Sequence, residues 1–226
     1  MVIKRLLLLA NSYKFKGRCV AGREVLPDGM GAWIRPVSSR EHGEVDPYER
    51  QYHKDVEPEV MDVVAVGLSE PKPHALQPEN WLLDRYHLWR RVDRMKWDDL
   101  KRCADTAGPL WFDGHHSKMG QNDRIRVADA AHARSSLKLI KVEELELARY
   151  TPDGGAGARL RGRFSFDGVS YLLRVTDPVY RVDYLNRPAA EHVLGECYLT
   201  VSLAENAVND FHYKLIAAII ERVRTP

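Results

Sequence analysis

The 226-residue chain (25.9 kDa) sets 34 Lys and Arg against 32 Asp and Glu, a formal charge of +2, with 44% hydrophobic and 29% charged residues. That balance excludes disorder, a collagen repeat and a disulfide scaffold, and the length suits one large domain or two small ones. The first apolar run, Leu6 to Ala10, is far short of a signal-peptide core or a ~20-residue membrane span, so a cytoplasmic protein with no targeting segment and no membrane partner is expected. The three cysteines, Cys19, Cys103 and Cys197, are widely spaced with no CxxC pair, and read as reduced, mostly buried thiols.

The near-neutral total hides segregation. Met1 to Arg40 holds eight basic and two acidic residues, whereas Glu41 to Asp62 holds eight acidic and two basic ones. A local basic surface is compatible with the small net charge.

Val2 to Leu9 reads as a buried strand ending at Ala10-Asn11-Ser12. Arg18 to Leu26 is a second, closed by the Pro27-Asp28-Gly29 turn, and Gly31 to Ser38 a third, with Pro36 placing it at an edge or at its own end. Met61 to Leu68 is a fourth. From Pro78 to Ala107, Trp81, Leu82, Trp89, Val92, Trp97, Leu100 and Cys103 recur at three- and four-residue steps, which predicts a helical insert, and Arg124 to Val127 a short strand closing the first unit. The second half opens with alternation over Ser136 to Tyr150 and a turn at Pro152 to Gly155. Arg159 to Phe166, an Asp167-Gly168 turn and Val169 to Val175 then form the clearest hairpin signal. A connection around Pro188 to Leu194, the run Cys197 to Leu203, and His212 to Ile220 as strand or helix complete the chain.

About five strands before the middle and five after it, with a connection between the third and fourth, is the layout of the OB fold. The expected architecture is mainly β: two small OB-like five-stranded barrels packed together, residues 1–133 with the helical insert at 78–107, and residues 134–226. The stretches Leu8 to Gly22, Trp33 to Ser38, Tyr198 to Leu203 and Tyr213 to Ile220 resemble the bacterial family described as dual OB-containing domain proteins. The resemblance implies two OB barrels and, from that fold and the family's genomic company in defence systems, nucleic-acid binding. It brings no catalytic residue, metal or cofactor.

Two clusters carry candidate chemistry. Lys14, Lys16 and Arg18, with Arg35 two strands on, stand among Tyr13, Phe15 and Trp33, a combination suited to neutralising phosphates and stacking bases; equally, Trp33 is core and the lysines a solvated loop. On a strand, Arg159, Arg161 and Arg163 share one face and Leu160, Phe164 and Phe166 the other, with Gly162 on the apolar side. With Arg174, Tyr171 and Tyr180 nearby, that row is a candidate phosphate track.

Signals for catalysis are thinner. Asp113-Gly114-His115-His116 has metal-ligand residue types without HxxxH spacing, and Glu143, Glu144 and Glu146 fit a strand's solvent face. Cys19 beside Arg18 reads as buried and inert, and Asp153 to Gly157 lacks the Lys-Ser/Thr of a P-loop. The expected function is binding of nucleic acid, most simply a single strand, through Lys14, Lys16, Arg18, Trp33, Arg35, Arg159, Arg161, Arg163, Arg174 and Lys214. Two alternatives stand beside it. One is an enzyme acting on a nucleotide or modified base, with Arg35, Ser38 and Lys214 holding a phosphate; the other is an adaptor whose acidic stretch Glu41 to Asp62 meets a basic protein partner.

Overall fold

The computed structural model describes residues 1–226 apart from 54, 55, 75, 153–156, 189, 225 and 226, and the side chain of 224. The turn expected at Pro152 to Gly155 and the glycine-rich stretch that follows it fall largely outside the described residues. Contacts divide the chain into two compact units, Met1–Cys103 and Ala104–Arg224. The boundary expected after residue 133 therefore falls inside the second unit. Residues beyond Cys103 are held there by ladder-like bonds, such as Asp105 N to Leu139 O at 2.6 Å and the reciprocal pair between Gln121 and Leu172.

In the first unit, β1 (Val2–Lys14), β2 (Gly17–Leu26) and β3 (Gly29–Val37) pair antiparallel in succession. β5 (Asn80–Leu83) then pairs parallel with β3 and antiparallel with β4 (Asp62–Pro71), and β4 returns to β1. The order is first, second, third, fifth, fourth, first, the arrangement of an OB fold. β1 sustains two partners because it is long: Val2 to Leu7 face β4, while Leu6 to Lys14 face β2. Interior residues Leu6, Leu8, Val20, Ile34, Val64 and Trp89 form its apolar cluster. Between β3 and β4 lies a one-turn helix, α1 (Pro47–Arg50), capped reciprocally by Asp46 and Glu49.

The helical insert is not present. Its segment makes β5, then β6 (Arg90–Arg94), which pairs with β4, and a six-residue 3-10 turn at Trp97–Arg102. Trp89, Trp97 and Leu100 are buried, but Trp89 comes from the segment just before β6 and the other two from the 3-10 turn. The helix-like spacing was a coincidence of local sequence, overridden by the pairing of Asn80 with Arg35 across 45 positions.

The second unit repeats the order. β9 (Leu145–Tyr150), β10 (Arg159–Phe166) and β11 (Val169–Val175) pair antiparallel, β14 (Phe211–Glu221) lies parallel to β11, and β13 (Cys197–Leu203) pairs with β14 and with β8 (Leu137–Val142). The job done by β1 alone is here divided: β8 pairs with β13, the fourth strand, and β9 with β10, the second, the two halves separated only by Glu143 and Glu144. β12 (Glu191–Leu194) adds an edge to β9. β7 (Arg124–Arg126) pairs with β14 rather than closing the first unit, because Lys214 N donates to Asp123 O and Val127 N to Asp210 O, fixing that register; a short helical turn, α2 (Val127–Ala130), follows it.

The Asp167-Gly168 turn has both residues at positive φ (49° and 76°), as a type I′ hairpin requires. Between the third and fourth strands comes α3 (Pro178–Leu185). Its N-cap Asp177 accepts from Val179 N and Tyr180 N through Oδ1, and from Ile219 N through Oδ2 at 3.0 Å, so one buried carboxylate starts the helix and ties it to β14. Leu145, Leu147, Leu160, Phe164, Leu173 and Ile216 lead the interior. Among the described residues, no helix is long and apolar enough to cross a membrane.

Two outcomes test this packing. A Cβ at Gly22 would lie 2.2 Å from Leu7 O, so Gly22→Ala must break the β1–β2 ladder, and an overpacking cost of about 3 kcal/mol should lower the urea midpoint clearly. Burial, with Glu221 and Glu196 nearby, pushes the Cys197 thiol up to about 12, and Cys103 is buried, whereas Cys19 is half-buried. Native iodoacetamide treatment, read by mass spectrometry, should modify Cys19 and reach Cys103 and Cys197 only after denaturation.

Candidate functional site

The hairpin of β10 and β11 occupies the second- and third-strand positions, the usual ligand face of an OB fold. Strand alternation turns Leu160, Gly162, Phe164 and Phe166 inward and Arg159, Arg161 and Arg163 outward. Register then gives each arginine its neighbours. Arg159 stands opposite Tyr150, Arg161 opposite Ala148 on one side and Arg174 on the other, and Arg163 opposite Glu146 and Leu172.

Charge along this row is uneven. Arg163 is met by Glu146 at 3.7 Å. At the other end the guanidinium of Arg161 lies 4.3 Å from the Tyr150 ring centroid, and its Nε and Nη1 are buried with no hydrogen-bond partner among the described residues. Arg174 has its pKa lowered, first by burial and then by repulsion from Arg159, Arg181 and Arg161, with Tyr150 acting the other way. Among the described residues, no ion pair involves Arg159, Arg161 or Arg174. Like charges placed directly opposite in a sheet destabilise it. The arrangement therefore holds positive charge that no carboxylate among the described residues pairs with.

The first cluster divides. The β1–β2 turn presents Phe15, 60% exposed at φ +50°, stacked on His42 at 3.8 Å, with Lys16 exposed and Lys14 half-buried beside it. Arg18 lies over the exposed Tyr13 ring at 4.3 Å. Trp33 and Arg35, by contrast, are only 8% and 3% exposed. Arg35 donates to Glu79 at 3.2 Å and to Cys19 Sγ at 2.7 Å; burial pulls its pKa down, but Cys19 and Glu79 raise it on balance. These two are internal to the first unit, not presented to a ligand.

Lys214 is internal as well. At 1% exposure its ammonium donates to Phe112 O at 2.7 Å and Asp113 Oδ1 at 2.9 Å, and lies 5.2 Å from the Tyr171 ring centroid. Tyr171 OH donates to the other oxygen of Asp113, so Lys214 anchors the loop before β7. Ser38 is buried too, its Oγ accepting from Arg40 N. The phosphate grip imagined for Arg35, Ser38 and Lys214 is thus absorbed into packing within the two units. His116 Nδ1 accepts from Asn122 N, and no group of three or more His, Cys, Asp or Glu among the described residues is placed to hold a metal.

The acidic stretch is largely matched by arginines of its own unit: Arg40 pairs with Asp46 and Glu49, Arg50 with Glu57, and Arg94 with Glu59 and Asp62. Sequence reasoning missed Tyr150 and Arg181 as members of the arginine site. Tyr150 was legible as the last residue of an alternating run, and Arg181 sits one turn into a helix announced by Asp177-Pro178.

If the arginine face is unneutralised, removing one charge should stabilise the free protein. Arg174→Gln should add about 0.5 kcal/mol, raising Tm by a degree or more, and the gain should shrink in high salt; a destabilised variant would contradict this electrostatic description.

No curated protein matches the sequence. Among solved structures the chain is similar to the crystal structure of the tetrameric p202 HIN2, at 10% identity over 97% of this chain and 92% of that one; the TM-score of 0.32 is too low to bear on fold or function. The sequence matches the family described as dual OB-containing domain across residues 4–219. With that match and two units sharing one strand order, the chain belongs to the dual OB-containing domain family.

Proposed function

We propose that this protein binds single-stranded nucleic acid, with the outer face of β9, β10 and β11 as the principal contact surface of the second unit and the β1–β2 turn as that of the first. The observation that carries the reading is the arginine face: Arg159, Arg161 and Arg174 stand on the second and third strands with no ion-pair partner among the described residues, beside Tyr150. Cations on that face neutralise phosphates, while exposed rings such as Phe15 and Tyr13 offer surfaces for unpaired bases, each stack contributing about 1–3 kcal/mol. Lys14, Lys16 and Arg18 add charge at the same turn. Specificity would come from stacking and groove shape rather than base-edge readout. A bacterial defence or nucleic-acid-processing system is the setting such a module suits.

Neither alternative has a comparable observation. Residues offered for a nucleotide enzyme are packed inside, and the acids offered for an adaptor mostly face arginines of their own unit. Fluorescence anisotropy with labelled single-stranded and duplex DNA and RNA at two salt concentrations tests the proposal. Single strands should bind at micromolar or tighter Kd, weakening steeply with salt. Arg161→Glu should weaken binding about tenfold, or about 1.4 kcal/mol, and the Lys14→Glu/Lys16→Glu pair by a smaller factor. Absence of binding, or binding indifferent to salt and to Arg161→Glu, would remove the proposal.

A further inference from the structure

We infer that the opposed pair Arg161 and Arg174, flanked by Arg159 and Arg181, is a receptor for a phosphomonoester, the terminal phosphate of a bound strand. This rests on the nucleic-acid reading above and narrows it to one chemical group.

Charge density is the first reason. An internal phosphodiester carries one negative charge, whereas a phosphomonoester carries about −1.5 to −2 at pH 7 and three acceptor oxygens. A track for diesters needs one cation per phosphate, spaced along the strand. Here Arg161 and Arg174 are directly paired across two strands, Arg159 lies two residues from Arg161 on the same face, and Arg181 is close enough to act on Arg174. Three guanidinium groups thus gather around that of Arg174, which suits a compact dianion better than a line of monoanions.

The second reason is polarity along the face. Beyond Arg161 the row runs into Arg163, already met by Glu146, and then a cleft of about 520 Å³ whose lining includes Glu143, Glu144 and Asp167. A polyanion continuing in that direction would meet carboxylates. A strand that ends at the arginine cluster avoids them.

The third is unsatisfied capacity. The buried Nε and Nη1 of Arg161 have no partner among the described residues, and N–H groups hidden from water without an acceptor are costly. Phosphate oxygens supply such acceptors. The Tyr150 ring lies 4.3 Å from the guanidinium and holds it in place.

The test compares otherwise identical single-stranded oligonucleotides ending in 5′-phosphate, 5′-hydroxyl, 3′-phosphate or 3′-hydroxyl, each labelled at the opposite end. One phosphorylated end should bind at least tenfold tighter than its hydroxyl counterpart. That preference should vanish in Arg161→Gln/Arg174→Gln, with circular dichroism and Tm confirming the fold, and survive in Lys14→Glu/Lys16→Glu. A nucleoside monophosphate added as competitor separates the two sources of the group: displacement only at large excess supports a strand end, whereas displacement as effective as the phosphorylated oligonucleotide overturns it in favour of a free nucleotide. Equal affinity for phosphorylated and hydroxyl ends, with binding intact, overturns this inference and leaves the proposed function standing. Preference retained in the double glutamine variant also overturns it. No binding by any oligonucleotide overturns both.

Discussion

Everything else in each unit follows from the demand that the first strand serve two partners. In the first unit β1 meets it by length, pairing with β4 through its opening residues and with β2 through the rest, and Leu6 and Leu7 pair with both. In the second, a break at Glu143 and Glu144 hands the task from β8 to β9. Once that double pairing is set, side-chain alternation assigns every strand an inner and an outer face, and a slip of one residue would exchange them. Leu145 and Leu147 inside oblige Leu160, Phe164 and Phe166 to be inside, and so oblige Arg159, Arg161 and Arg163 to be outside. The surface proposed for nucleic acid is a geometric by-product of how its core is registered.

Wherever short-range chemistry decided the structure, it was legible in the residues. Asp167-Gly168 between alternating runs is a local signal, and the hairpin formed between the expected strands with the outward arginine row intact. The same was true of β13, whose bounds agree with the expected run. Where partners lie far apart, local pattern misled. Trp89 and Leu100 looked like neighbours on a helix but are brought to the interior by different elements, because β5 must fill the place between β3 and β4. Arg124 to Arg126 was assigned to the wrong unit for a similar reason, its partner strand lying some 85 residues onward.

Of the site, the sequence could say which residues share a face but not which faces are buried. Arg35 and Lys214 looked like surface cations. Their partners, Glu79 and Asp113, are 44 and 101 residues away, and only the fold shows that these charges are spent on internal ion pairs. The converse holds for the second unit: Arg161 and Arg174 stand across the hairpin from each other, yet among the described residues no carboxylate pairs with them. Unmatched cations on a sheet face are unfavourable in the free protein, so their presence speaks for a ligand that matches them.

The most direct measurement is photocrosslinking of a bromouridine-substituted single strand to the intact protein, with the modified peptides mapped by mass spectrometry. Crosslinks are expected in the peptides that hold Tyr150 and span Arg159 to Arg174, and they should be lost when Arg161 is changed to Glu. Crosslinks that spare these peptides, or that persist unchanged in that variant, would contradict binding at this face.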